Sequence, residues 1–232
     1  MLRHLGAALV SSICDYQIQE VRLRVIGAQD PPLSAREEEA QRAIECVIVE
    51  PGESIAPYAA EFSLSYRDAF ASLQKRLDDG CILIFARTAR PDGAGREVAG
   101  YGIMERGGFS SLGIKGKLPN HIMFMHYTEV AQRYRGQRIA QVMSRARNEY
   151  YRKHGITGGL STHSPGNTAS DRAFGKFGSG VVCQAARVSL LRGLVIWHTP
   201  WKKIEKAIAG RGQEDLTAKL DVVSAAGLRN KV

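Results

Sequence analysis

The sequence predicts an α/β domain built on one mixed sheet, and three observations point to it. Strand-length apolar runs alternate with helix-period apolar stripes from about residue 44 to residue 200. A basic turn containing a glycine follows one of those strands and opens the longest helical stripe. Of the 232 residues 44% are apolar and 24% charged, a balance that excludes disorder, collagen and coiled coil and gives a core large enough to need no disulfides.

Residues 1–40 read as an N-terminal extension or edge element. Val21 to Ile26 alternates like a short strand, Pro31-Pro32 breaks it, and Ser34-Ala-Arg-Glu has the form of a helix N-cap with a capping box. The main domain is assigned to 41–201. It begins with a strand at Ile44 to Val49, a Pro-Gly turn, and a helix over about Tyr66 to Leu77 whose Ala69, Phe70, Leu73 and Leu77 share a face. Asp78-Asp79-Gly80 ends that helix. Cys81 to Ala86 and Val98 to Met104 form a hairpin around Asp92-Gly-Ala-Gly95, and Gly107 to Pro119 is a mobile loop. His121 to Val130 is the next strand. Ile139, Val142, Met143, Ala146 and Tyr150 mark a long helix closed by Gly155. Gly158 to Thr162 is a short strand, and Asn167 caps a helix containing Ala173, Phe174 and Phe177. Val181 to Leu191 and Leu194 to His198 make a last strand pair turning at Arg192-Gly193. Residues 202–232 are a C-terminal tail, a polar helix and a frayed end.

The formal charge of +9 favours anionic partners, and it is localised. Seven basic residues between Arg133 and Lys153 face one acid, Glu149, so six of the nine excess charges lie there. Cys14, Cys46, Cys81 and Cys183 lack any C-x-x-C spacing, which argues against a disulfide or a metal site and for buried thiols in a reducing cytosol. The longest apolar runs, Ile122 to Met125 and Leu194 to Trp197, are far short of the roughly 20 residues of a membrane span. Leu5 to Val10 is too short for a signal peptide, so the expected location is the cytoplasm.

The most informative segment is Val130-Ala-Gln-Arg-Tyr-Arg135-Gly136-Gln137-Arg138-Ile139-Ala140. A helix entered from a strand through such a turn offers unpaired N–H groups and the positive end of its dipole to a phosphate, and Gly136 lets the backbone approach closely. This segment resembles the acyl-CoA-binding motif of the GNAT acyltransferase superfamily, [Q/R]-x-x-G-x-[G/A], with Arg135 in the first place and Ala140 in the last. Arg138 stands where the pattern has glycine, which predicts a tighter or rearranged pyrophosphate turn and an added charge. A second stretch is similar to the family's N-x-x-A-x-x-L-Y-x-K-x-G signature: Asn167, Ser170, Ala173-Phe174, Lys176 and Gly178. The resemblance covers residues 121–198 clearly. It implies a GNAT-like α/β (α+β) fold, with a mixed, mostly antiparallel central sheet flanked by helices.

The resemblance further implies an N-acyltransferase, an N-acetyltransferase in the first instance, using acetyl-CoA or another acyl-CoA and no metal. Direct attack by the amine of a small molecule or amino sugar would occur in a ternary complex. Thr128, Val130, Arg135, Gly136, Gln137, Arg138, Ile139, Ala140, Asn167 and Phe174 would be the positions about the cofactor. The backbone near Val130 would stabilise the thioester oxygen. Acyl transfer needs a neutral amine, and His titrates near neutrality. His126 is therefore the first candidate base and Glu129 the second. Strand alternation puts His126, Thr128 and Val130 on one face and Tyr127 and Glu129 on the other. Phe174 occupies the place of the family's acid Tyr and cannot donate a proton. Either the thiolate leaves as such or another donor serves. His163, close to the end of the strand before Asn167, is a further candidate to face the cleft.

Loops 51–66 and 106–120 are expected at the acceptor mouth. The seven acids of segment 31–61, against Arg36 and Arg42, could receive a cationic amine. Arg145, Arg147, Arg152 and Lys153 could dock an acidic acyl-carrier protein as an alternative donor. The competing reading is a non-catalytic acyl-CoA-sensing or nucleic-acid-binding protein that keeps the fold. Nucleic acid is the weaker partner, because Tyr134, Tyr150 and Tyr151 alone interleave the basic residues. A homodimer is among the states the sequence allows.

Overall fold

The computed structural model describes residues 14–27, 29–62, 65–108, 118–168, 170–171, 175–190 and 195–209. Eight strands form one sheet: β1 (Cys14–Val25), β2 (Glu45–Val49), β3 (Cys81–Ala89), β4 (Arg96–Arg106), β5 (Ile122–Val130), β6 (Gly158–His163), β7 (Ser179–Leu190) and β8 (Val195–His198). Their spatial order is β2-β3-β4-β5-β6-β1-β7-β8, antiparallel throughout except for β5 beside β6. The helices are α1 (Ala35–Ala43), α2 (Ala59–Phe62), α3 (Phe70–Asp78), α4 (Ile139–Lys153) and α5 (Trp201–Ala209). The sheet is thus mixed, mostly antiparallel and flanked by helices, as the sequence predicts.

Period-two alternation assigns the faces. Ile82, Ile84 and Ala86 of β3 pack with Met123 and Met125 of β5 against Ile139, Val142, Met143, Tyr150 and Tyr151 of α4. Leu83 and Phe85 point the other way, onto Phe62 of α2 and Leu73 and Leu77 of α3. Farther along that second face, Ile122 and Phe124 meet Val21, Leu23, Leu160 and Ile204 of α5. A boundary in α1 follows the expected capping box: Ser34 N donates to Glu37 Oε2 at 3.0 Å and Ser34 Oγ at 2.9 Å.

Two expectations are corrected. Residues 14–25 are neither an extension nor an edge; β1 lies inside the sheet, paired with β6 on one side and β7 on the other. The helix after Pro200 is amphipathic rather than polar, with Ile204 fully buried and Trp201, Ala207 and Ile208 packed around it. Within the expected Gly107–Pro119 mobile loop, 109–117 lie outside the described residues, as do 172–174, which include Ala173 and Phe174. Cys46, Cys81 and Cys183 are free thiols. Among the described residues no helix is long and apolar enough to cross a membrane, and no group of three His, Cys, Asp or Glu side chains is placed to hold a metal.

Candidate active site

The parallel register of β5 with β6 runs only from Ile122↔Gly158 to Met125↔Ser161. Beyond it β5 continues to Val130 with β4 alone, and β6 continues to His163 with β1 alone. Among the described residues each strand therefore has one edge without a strand partner, and the gap widens into a cleft of about 770 Å³. His126, Thr128, Glu129, Val130, Arg135, Gly136, Arg138, Ile139, Ala140 and Asn167 line it, joined by Tyr127, Ser161, His163 and Ser170. Gln137 is not among the lining residues; its side-chain amide donates to the Arg133 carbonyl at 3.1 Å.

A β-bulge decides which way the β5 side chains face. Met104 of β4 is opposite Met125, but Ile103 is opposite Tyr127, so His126 is the extra residue. The expected face-sharing of His126 with Thr128 and Val130 fails for this reason. His126 turns to the α3 side, edge-on to Phe124 and with Nε2 2.7 Å from Glu105 Oε2. Tyr127 and Glu129 follow on that same side. The Tyr127 ring lies 5.7 Å from that of Tyr101, whose hydroxyl donates to Glu129 Oε2 at 3.0 Å. Thr128 turns to the α4 side, where Arg147 Nη1 is 3.4 Å from its Oγ1. Arg133, a possible counter-ion for Glu129, instead pairs with the buried Glu97 and donates to Ser65 Oγ at 2.8 Å.

The basic turn meets α4 at the mouth of the cleft. Gly136 has φ 82° and Arg138, the N-cap residue, has φ 64°. The Arg138 carbonyl accepts from Gln141 N at 3.0 Å and Val142 N at 3.1 Å, so the helix is closed behind it. Among the described residues no side chain caps this end, and Ile139 and Ala140, the first two helical residues, lie before any intrahelical acceptor. Both Arg135 and Arg138 are exposed here. On the opposite wall His163 is held between two hydroxyls, Ser161 Oγ 3.0 Å from Nε2 and Ser170 Oγ 2.5 Å from Nδ1. Asn167 is the expected N-cap, its Oδ1 accepting from Ser170 N at 3.1 Å, and it also faces the cleft.

No protein-family model matches the sequence, and no curated protein matches it. Solved structures do. A tandem GNAT protein from the clavulanic acid biosynthesis pathway superposes with a TM-score of 0.51 at 15% identity, over 80% of this chain and 58% of its own. A glucosamine N-acetyltransferase region of a fungal multi-domain β-N-acetylglucosaminidase gives 0.52 at 15% identity, over 78% of this chain and 22% of its own. The chain has the GNAT fold. It spans less than two thirds of the length of either structure.

Arg138 adopts a left-handed backbone, a conformation that glycine takes readily. An L-residue there is strained by about 1–2 kcal/mol. Arg138→Gly is expected to raise stability by about that amount, a few degrees in Tm for a chain of this size, while weakening polyanion binding through the lost charge. Parallel melting curves with and without CoA separate the two effects.

Most of the acids of segment 31–61 that have structural partners lie away from the cleft. Glu45 and Glu61 pair with Arg87, Glu37 closes the α1 cap, and Glu53 accepts from Glu50 N at 2.8 Å. The basic run on α4 is not one surface either. Arg147 is buried, Arg145 donates to the Pro31 carbonyl, Arg152 pairs with Asp30 at 3.2 Å, and Lys153 pairs with Glu149 at 3.0 Å.

Burial lowers the pKa of His126, with the Glu105 carboxylate opposing, and lowers that of His163, with Arg22 adding to the effect. Unfolded histidines titrate near about 6.5. The unfolded chain therefore binds more protons below that value, so this stabilisation is complete above about pH 6.5 and is lost as pH falls through it. Melting between about pH 8 and about pH 5.5 should show that decline, and His163→Gln should make the slope shallower.

Proposed function

We propose that the protein is an acyl-CoA-dependent N-acyltransferase acting on an amine by direct attack. The gap between β5 and β6 carries this reading, because it joins the uncapped, arginine-flanked start of α4 on one side of the sheet to His126 and Glu129 on the other. The donor set at that helix start, N–H groups and guanidinium groups with no acid among them, fits the phosphates of CoA. Arg135, Arg138 and the N–H groups of Gly136, Ile139 and Ala140 would hold them. The free edge of β5 at Thr128 to Val130 offers main-chain partners to the amides of the CoA arm, as an added strand would use them. When bound, acyl-CoA supplies an acyl group activated as a thioester.

The chain's own groups then divide the work. Neutral His126 donates Nε2–H to Glu105 and keeps a lone pair on Nδ1, which takes the proton of an ammonium acceptor directly or through water. The amine nitrogen bonds to the acyl carbon, and the bond from carbon to sulfur breaks. A main-chain N–H near Val130 stabilises the oxygen on which charge develops. Ser161 Oγ, bonded to His163, is the proton source within the cleft that Phe174 cannot be. The acceptor reaches the gap from the side of Tyr127 and Glu129, an exposed aromatic ring and an exposed carboxylate suited to a cationic amine.

Melting with CoA, acetyl-CoA and medium- and long-chain acyl-CoA tests the donor half. A ligand-dependent rise is expected, and no rise with any of them would overturn the reading. Thiol release from the best donor with glucosamine and simple primary amines tests the acceptor half. A melting shift with no turnover on any amine would leave an acyl-CoA-binding protein and refute the transferase.

A further inference from the structure

Beneath α4, away from the proposed acyl-CoA turn, lies a cluster of buried donors that this function does not use. Arg24 of β1 is 4% exposed, and none of its three guanidinium nitrogens has a hydrogen-bond partner among the described residues. Its guanidinium stacks on Phe177, 4.4 Å from the ring centre. Tyr151 is fully buried and its hydroxyl is also without a hydrogen-bond partner among the described residues. The two are neighbours through Gly159, which is opposite Arg24 in the β1/β6 register and whose Cα hydrogen faces the Tyr151 ring, with a built Cβ 3.5 Å from it. Arg147, one helical turn before Tyr151, is 1% exposed and lends a second guanidinium, held by Ser144 Oγ at 3.1 Å and by Thr128.

Among the described residues no carboxylate is hydrogen-bonded to Arg24. Asp30, the acid that reaches Arg24 electrostatically, is hydrogen-bonded to Asn148 and ion-paired with Arg152. Cys46 near Arg147 stays a thiol, its pKa pushed up to about 12 by burial. Burial lowers the Arg24 pKa to about 9, with Arg147 adding to the shift, so Arg24 still carries its proton at neutral pH. The unpartnered donors of the buried Arg24 cation and the buried Tyr151 phenol call for an acceptor that brings negative charge. A water could accept from two of these donors but would bring no charge.

We propose that Arg24, Arg147 and Tyr151 enclose a binding site for one small monoanion, a halide or a short carboxylate, between α4 and the sheet. Arg24, Arg147 and Tyr151 are each at most 4% exposed, so a ligand held among them has to be small. The anion completes the core where the central strand β1 carries a charge, so its effect is on stability, independent of the acyltransferase reading.

The test is a melting titration at constant ionic strength, replacing sodium gluconate, too large for the site, by chloride, bromide or formate. A saturable rise is expected, about 5–10 °C at a hundredfold excess over Kd. Chloride and bromide acting alone would identify a halide site; formate acting as well would identify a carboxylate-competent one. Arg24→Met should lose the response and melt in gluconate at or above the wild-type temperature, while Arg135→Ser/Arg138→Ser should keep it. Equal melting of the wild type in all four salts, the result for a water-filled pocket, overturns the proposal. So does an undiminished response in Arg24→Met. Should that variant fail to fold, anomalous scattering from wild-type crystals grown in bromide decides by the presence or absence of a peak between Arg24 and Tyr151.

Discussion

His126→Ala should lower turnover by about 10²–10⁴-fold, the range for a positioned general base, while the melting shift given by acyl-CoA stays close to that of the wild type. The split follows from geometry: the bulge sends His126 to the α3 side of the sheet, away from the arginine-flanked start of α4. Glu105→Gln tests the same assignment from behind. The amide can still accept from Nε2–H, but it no longer opposes the burial that lowers the imidazole pKa. Its acid limb in kcat should therefore move to lower pH, with a loss smaller than that of His126→Ala. Turnover of His126→Ala that matches the wild type from about pH 6 to about pH 9 would sink the base assignment.

The second large effect concerns stability. Glu97 is 1% exposed and is held by Arg133 and by the hydroxyl of Tyr134, both in the 3₁₀ turn Gln132–Tyr134 that leads into the basic turn. Removing one partner of a buried pair leaves an uncompensated charge and costs about 3–5 kcal/mol. The Arg133 side chain is 47% exposed, so water retains access to the pair and Arg133→Ala should cost about 2–4 kcal/mol, roughly 5–15 °C in Tm. Adding Glu97→Gln to that variant should recover most of the loss, because the amide carries no charge to compensate. The CoA-induced shift should shrink with Arg133→Ala, since the segment entering α4 loses its anchor. Recovery absent in the double variant would mean that packing of the arginine stem, not charge, sets the cost.

Much of the fold was legible wherever apolar periodicity was unbroken. The β3–β4 hairpin, β5 and α4 lie where Cys81–Ala86, Val98–Met104, His121–Val130 and the Ile139–Tyr150 stripe predict them. In β1 the charged Glu20, Arg22 and Arg24 imitate the solvated face of an edge strand, although Arg24 is buried. In α5 three lysines and a glutamate hide one apolar stripe through Trp201, Ile204 and Ile208. At the site, the strand–turn–helix signal located the basic turn, but the face of His126 was not legible. A bulge adds one residue without changing composition, and only the pairing with Met104 and Ile103 reveals it. Glu105 stands one position past an apolar run and looks like a frayed strand end; the same bulge brings it to the histidine. His163 was noticed, but its two serine partners come from β6 and from the segment after Asn167, which no spacing rule joins.

The place of β1 sets an order of assembly. Its partners are residues 158–163 and 179–190, so the strand made first waits for nearly the last strands to be made. β2 to β5 can pair as a local meander while the chain is still growing. The other half, β6-β1-β7-β8, closes only when both ends meet, and four residue pairs between β5 and β6 join the halves. Folding should therefore show an early phase in the meander and a late one in which β1 docks, with loop closure over more than a hundred residues setting the slower rate. Until then β6 and β7 present bare edges, and a nascent chain stalled before residue 179 is the species most exposed to aggregation.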